Sequence, residues 1–476
     1  MSSSSLDQSM LPLRAIPGDY GVPFFGPIKD RYDYFYNQGE DEFFKTRIAK
    51  YKSTVFRTNM PPGPFISSNT KVVTVLDSKS FPILFDVSKV EKRNILDGTY
   101  MPSTAFFGGY RVCAFLDPSE PNHRVLKSFC MNFLFSSRDK FIPYMRTSLS
   151  EMFVNLENEI NDKSQADFNV HSDNMAFDFF FRLFTGVSPS ETELKSKGPG
   201  ITSTWLALQL APIMSLGLKY VPNFIDDLIH TFRLPFFVTK SGYKKFYKAV
   251  YNSATSLLDE AEKTGISRKE ACHNIIFLIG FSAFGGMKVV FPALIKWVGS
   301  AGESLHTRLA DEVRSVVKEE GGVTFSALEK MSLVKSVVYE AFRIEPPVPY
   351  QYAKAKEDLV VESHDARFEI KKGETIFGFQ TFATKDPKVF DNPDVFVAER
   401  FVGDGEKLLK YVYWSNARET DNPTVDDKQC AGKDLVVLCS RMMLVEFFLR
   451  YDTFTVEVGQ LPLGSSVKIT SFTKAT

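Results

Sequence analysis

One cysteine constrains this chain more than any other residue. Cys430 stands in Lys428-Gln429-Cys430-Ala431-Gly432-Lys433-Asp434, just ahead of an apolar run from Leu435-Val436-Val437-Leu438 through Met442, Val445 and Phe448. The length and period of that run predict a helix with the cysteine at its mouth. There the positive end of the helix dipole and the free backbone N–H groups favour thiolate. Gly432 permits close backbone approach, and Lys428 and Lys433 add positive charge. A thiolate presented in this way suits the axial position of a haem iron. The competing reading is a half-buried cysteine at a helix start, and Cys-x-Gly alone does not separate the two.

The totals exclude several classes. Among 476 residues, 57 basic side chains balance 57 acidic ones, which argues against a nucleic-acid binder. The 45 phenylalanines are an unusual number; most belong to an ordinary core, and the surplus also suits a pocket for a long apolar ligand. Five cysteines (Cys113, Cys130, Cys272, Cys430, Cys439) include no C-x-x-C pair, so neither a zinc site nor a disulfide framework is expected. Residues 1–24 hold no long apolar run and no extended Arg- and Ser-rich stretch. On that basis no signal peptide, anchor or clear plastid transit peptide is expected, and the location expected is cytoplasmic or peripheral to a membrane.

Along the chain, residues 1–30 form an arm of turns punctuated by Pro12, Pro17, Pro23 and Pro27. Residues 30–51 are helical, and strands at Val55–Arg57 and Val72–Leu76 flank the turn Pro61-Pro62-Gly63-Pro64. His123 and Lys127 share a helical face and can grip acidic groups, although spacing alone favours a solvated pair. Phe141 to Phe184 is helical. Residues 201–238 alternate apolar stretches with Pro212, Pro222 and Pro235, which suits either a membrane-dipping segment or a lid over a channel. Lys240, just beyond, can meet a fatty-acid carboxylate, or is simply solvated.

Ser267-Arg268-Lys269-Glu270 is a capping box that opens an apolar helix to about Trp297, bent at Pro292. Gly285 and Gly286 inside it cost about 1 kcal/mol each relative to alanine. Either a flat ligand or tight helix packing accounts for that cost. Ser326-Ala327-Leu328-Glu329 starts the helix that carries Glu340 and Arg343, and Pro346-Pro347 ends it. Strands follow over 358–380, with turns at His364-Asp365 and Lys371-Lys372-Gly373; Phe454–Val458 and Val467–Phe472 close the chain.

Glu340-Ala341-Phe342-Arg343 puts a carboxylate and a guanidinium on one helical face. Val397-Ala398-Glu399-Arg400-Phe401 comes next, and Cys-x-Gly ahead of the last long helix completes the series. This ordered set resembles the cytochrome P-450 superfamily, in which the two acidic–basic segments lock together and brace the cysteine loop. The resemblance implies a mainly α fold with small β-sheets. It also implies a single cytochrome P-450-type domain over 1–476, with 1–30 as the N-terminal arm and 404–434 as the haem-ligand loop. Two features depart from ordinary monooxygenases. The oxygen-activating helix reads Gly285-Gly286-Met287-Lys288, with no acid–alcohol pair to deliver protons to O₂. Nine extra residues also lie between Trp414 and Cys430.

Both departures resemble a plant subgroup of fatty-acid hydroperoxide enzymes: hydroperoxide lyases, allene oxide synthases, divinyl ether synthases and epoxyalcohol synthases. The likeness includes Ile16-Pro17-Gly18-Asp19-Tyr20-Gly21, Gly98-Thr99-Tyr100-Met101-Pro102, Asp117-Pro118-Ser119-Glu120-Pro121 and Tyr413-Trp414-Ser415-Asn416. It implies that Cys430 ligates haem b and that Lys92, His123, Lys127 and Lys428 line the haem or its propionates. A hydroperoxide brings oxygen already reduced, so no O₂, reductase or NADPH is needed. After O–O cleavage, oxidation to a cation and proton loss give an allene oxide, whereas recapture of oxygen gives a hemiacetal that falls into an aldehyde and an oxo acid. Allene oxide synthases tend to have Phe where this chain has Leu96, and an aromatic face favours a cation. Ser282 stands where the family commonly has Asn to hold the hydroperoxide, and a hydroxyl has one donor rather than two. Lys288 and Lys240 complete the expected substrate contacts. The expected function is a hydroperoxide lyase acting on 9- or 13-hydroperoxides, with the other three outcomes as alternatives. An NADPH-dependent monooxygenase and a non-catalytic haem- or lipid-binding protein stand as readings from other classes.

Overall fold

Helices carry most of the chain, and its strands gather into three small sheets. The computed structural model describes residues 11–67, 69–96, 100–215 and 221–475. The first ten residues of the arm, Gly98 and Thr99 of the glycine motif, and 216–220 of the proline-rich stretch lie outside them. The largest sheet runs Val55–Asn59, Lys71–Val75, Thr375–Phe379, Tyr350–Ala355, Val90–Glu91, with one parallel pairing, Lys71–Val75 on Thr375–Phe379. The alternation over 358–380 becomes the antiparallel pair Leu359–Glu362 and Arg367–Ile370. Leu13–Arg14 adds to it in parallel, so the arm is a sheet edge as well as a series of turns. A hairpin, Tyr451–Gln460 with Ser465–Lys474, closes the chain and pairs with Ala166–Asp167.

Two helices form the centre. Lys433–Arg450 is buried almost all round, as expected for a helix with no polar face. The other spans Arg268–Ala301; it is apolar and long enough to cross a membrane, yet more than half of its apolar window is packed inside the protein. The Ser267 hydroxyl caps it by accepting from Glu270 N–H (3.3 Å). It is helical beyond the expected end at Trp297, and Pro292 lies within it. Its middle, Leu278–Phe284, is a π-helical turn.

Two helix boundaries differ from expectation. The N-cap near residue 326 is Thr324, whose hydroxyl accepts from Ala327 N–H (3.0 Å), and it starts only the short helix Phe325–Lys330. The helix carrying Glu340 and Arg343 begins separately at Ser332. The loop expected over 404–434 opens with a 3₁₀ stretch, Gly403–Tyr411, and reaches the cysteine through turns and bends, with a bridge between Tyr413 and Arg418.

Candidate active site

Backbone bonds hold Cys430 from both sides. Its N–H donates to the Ser415 carbonyl (2.8 Å), and its carbonyl accepts from Lys433 N–H (3.1 Å). Gly432 is the N-cap of the helix that follows, with no side-chain cap. The sulfur faces a cavity. Burial pushes the thiol pKa up, and the Gly432 N–H and the Lys127 ammonium offset this only in part. The helix-dipole argument therefore overstates the thiolate of the free side chain; a bound metal ion removes that proton outright.

Behind this turn the two acidic–basic segments meet as expected. Glu340 and Arg343 are wholly buried and paired through two bonds of 2.7 and 2.8 Å. Arg400 Nε reaches both Glu340 oxygens at 3.0 Å, and Val397 N–H donates to one of them (3.0 Å). Arg343 also donates to the Pro393 (2.7 Å) and Thr384 (3.2 Å) carbonyls. The aromatic ring of Phe342 lies 4.8 Å from that of Trp414, which joins this lock to the cysteine loop.

His123, Lys127, Ser282, Lys428 and Cys430 line one cavity of about 270 Å³, walled by Phe129, Phe180 and other apolar side chains. Contrary to the solvated pair that spacing favoured, His123 and Lys127 are buried. The helix Pro121–Ser136 turns that face inward onto the extra residues ahead of the cysteine. Lys127 Nζ donates to the Asp427 carboxylate (2.6 Å) and carbonyl (2.7 Å), while Arg124 pairs with Asp426. Lys428 Nζ donates to the Ala114 and Leu116 carbonyls, both at 2.8 Å. Lys92 sits behind the cavity, donating to Gln351 (2.9 Å) and to Asn416 (2.5 Å), whose amide donates to the Lys428 carbonyl (2.8 Å).

The electrostatics of this cluster ask for an anion. Burial pushes Lys428 down to about 8. Burial and the Lys428 charge push Lys92 to about 7. The His123 imidazole is driven to about 4 by burial, with Lys428 and Lys127 adding to it. His123 Nδ1 is buried and has no hydrogen-bond partner among the described residues. Buried cations and an unsatisfied imidazole cost free energy unless acidic groups meet them. One sulfur, a basic rim and apolar walls are the donor set that haem requires: thiolate for iron, cations for the propionates, hydrocarbon for the macrocycle.

Ser282 lies in the π turn and its side chain is open to the cavity. A π turn inserts an extra residue and redirects side chains, and such turns recur at functional sites. Sequence reasoning missed Asn274, which also lines the cavity; its side-chain Oδ1 accepts from Cys113 N–H (3.1 Å). An amide nearly two turns inside an apolar helix was the available signal. The glycines divide. A Cβ on Gly280 would meet Thr202 at 3.0 Å and one on Gly285 would meet Leu206 at 3.1 Å, so helix packing explains both, while Gly286 faces open space.

Three expected contacts lie elsewhere. Lys288 is bound to Asp173 on the neighbouring helix, so its ammonium is drawn away from the cavity. Lys240 is exposed at the start of the helix Lys240–Ser253 and borders a separate surface cleft with Tyr243 and His273. Leu96 is half-buried against the main core, beside residues outside the described set, and does not line the Cys430 cavity.

A helical fold with small sheets, a cavity-facing cysteine at a helix start and a buried Glu–Arg–Arg lock behind it define a cytochrome P450. A family model described as Cytochrome P450 matches residues 303–415, which include the lock and stop short of Cys430. Over 98% of its length this chain is 58% identical to "Allene oxide synthase 3" of Solanum lycopersicum, covering 95% of that protein. It is 54% identical to "Allene oxide synthase, chloroplastic" of Arabidopsis thaliana over 98% of its length and 90% of the relative's. It is 52% identical to "9-divinyl ether synthase" of Capsicum annuum over the full length of both. The chain belongs to the plant cytochrome P450 subgroup of fatty-acid hydroperoxide enzymes, and its cofactor is haem with a thiolate-bound iron. The relatives correct the expected cytoplasmic or membrane-peripheral location: several are named chloroplastic, so the composition of residues 1–24 gave no ground for placing this protein outside plastids.

Proposed function

We propose that this protein is an allene oxide synthase, dehydrating polyunsaturated fatty-acid hydroperoxides without O₂, NADPH or a reductase. The observation that carries this reading is its similarity, at 58% identity, to an allene oxide synthase across nearly the whole of both chains. It replaces the expected lyase outcome, which rested on Leu96, a residue that does not line the cavity. A divinyl ether synthase is the second reading, favoured by the 52% identity to such enzymes over the full chain.

Bound haem supplies cleavage of the hydroperoxide O–O bond. Cys430 would hold the iron, while His123, Lys127 and Lys428 at the rim would meet the propionates and Lys92 would support them from behind the loop. Ser282 donates one hydrogen bond toward the peroxide oxygens. The apolar wall around Phe129 and Phe180 limits water at the reacting carbon, which favours proton loss over capture by solvent. Overall the hydroperoxide yields an allene oxide and one water. The whole of 1–476 serves as one catalytic domain, a reading supported by contacts of the cysteine loop with residues 92, 114, 116 and 127. Outward-facing apolar side chains on the helix Asn223–Thr231 support contact with a lipid surface.

The test is product analysis with the purified haem protein, fed 9- and 13-hydroperoxides of linoleic and linolenic acid without reductase. Ketols, the hydrolysis products of allene oxides, are expected. Divinyl ethers would establish the second reading, and short aldehydes would restore the lyase. No loss of the conjugated-diene absorbance would leave a protein that binds without catalysis.

A further inference from the structure

Glu419 is a buried carboxylate among the extra residues ahead of Cys430, and three groups hold it. The Tyr339 hydroxyl donates to it at 2.8 Å and the Trp414 indole N–H at 2.5 Å. The Lys433 ammonium lies 3.6 Å from its Oε1 and donates to its backbone carbonyl at 2.8 Å. A buried charge with this many partners is held firmly, because losing any partner exposes an uncompensated charge to a low-dielectric interior.

Those same partners flank the cysteine. The Cys430 N–H donates to Ser415, the residue after Trp414, and the Cys430 carbonyl accepts from the backbone of Lys433. Glu419 thus fixes the side chains beside both backbone anchors of the cysteine turn. Tyr339, next to Glu340, ties the same carboxylate to the helix of the ion-pair lock. Gly432 lies in the turn between Cys430 and Lys433, where an added Cβ would stand 3.9 Å from the sulfur.

We propose that Glu419 is a positioning residue for Cys430: by pinning Trp414 and Lys433 it holds the cysteine turn in the one geometry that presents the sulfur to the cavity as an iron ligand. The inference rests on the haem-thiolate reading of the site.

The test uses the full-length, haem-loaded protein at one fixed pH and reads the ferrous–CO spectrum, which separates thiolate-ligated haem from haem that has lost that ligation. Haem content and melting temperature are measured beside it. Glu419→Gln and Trp414→Phe are each expected to raise the ratio of haem without sulfur ligation to thiolate-ligated haem, by about fivefold for each hydrogen bond lost. Glu419→Asp, which keeps the charge, is expected to lie nearer wild type than Glu419→Gln. If Glu419 served stability alone, the variants would lose haem or melt earlier while their haem-loaded fraction kept the wild-type spectrum. That result overturns the proposal, as does an unchanged spectrum in Trp414→Phe and Glu419→Gln together. A wild-type protein without a thiolate-type spectrum would instead defeat the haem-thiolate reading.

Discussion

Glu340 and Arg343 have no exposed side-chain surface, and this sets how much either can be changed. Removing one partner of a buried pair strands the other charge, at a cost of about 3–5 kcal/mol. Glu340→Gln and Arg343→Met are each expected to lower stability by that amount and to cut haem incorporation severely, measured by chemical denaturation and haem per chain. A loss below about 1 kcal/mol, the range of an exposed pair, would show that the lock is dispensable. Ser282 calls for a milder outcome. Ser282→Ala removes one neutral hydrogen bond and should raise KM for the hydroperoxide about fivefold with the Soret band unmoved. An unchanged KM would remove Ser282 from substrate binding. The lock was legible in the sequence because helical spacing is local: residues three apart share a face whatever surrounds them. The fate of Lys288 was not, since its partner Asp173 lies 115 positions away and only the packing of two helices brings them together.

At the scale of the element, the helix Arg268–Ala301 shows where reading stops. Its cap at Ser267 and its apolar interior were visible in advance, because both are written in neighbouring residues. The π turn was not, because an extra residue in one turn leaves no periodic signature; its small residues, Gly280, Ser282 and Ala283, were the only trace. The same helix carries His273, buried against Tyr243, whose hydroxyl lies 2.6 Å from Nδ1, with the rings of Tyr247 and Tyr110 beyond. Burial, with Lys269 adding to it, lowers the imidazole from 6.5 to about 4. Between those values the unfolded chain binds a proton that the folded one does not, so this group's contribution to stability falls as pH drops from 6.5 toward 4 and is constant above. The loss at pH 4 is on the order of 2–3 kcal/mol. His273→Phe keeps a ring without the proton, so its melting temperature should decline less than wild type over that window. Parallel declines would assign the acid sensitivity to other groups.

For the whole molecule, a zero net charge gave no hint of how the surface is divided, and the division turns on one helix packed inside out. Along Asn223–Thr231 the polar side chains face the protein: Asp227 pairs with Arg31 (2.6 Å), Asp226 accepts from Tyr36 (3.0 Å), and His230 stacks on Phe35 (4.1 Å). Phe224, Ile225 and Leu228 face outward, and Phe232 and Phe237 just beyond are 61% and 75% exposed. Arg31 also donates to the Gly63 carbonyl (2.5 Å), which brings this helix near Phe65, itself exposed and packed edge-on against Phe24. The alternating prolines and apolar stretches of 201–238 announced an unusual segment, but which face turns out is decided by Arg31 and Tyr36, far away in sequence. Large apolar side chains in water gain about 1.5–3 kcal/mol each when buried, so a lipid surface that accepts two of them alters binding by well over tenfold. Wild-type protein is therefore expected to co-sediment with phospholipid vesicles. Leu228→Ser with Phe232→Ser should release it while the haem spectrum and the buried Arg31–Asp227 contact stay intact. Equal sedimentation of variant and wild type would mean that this face meets something other than lipid, because the two substitutions remove apolar area alone and leave every charge in place.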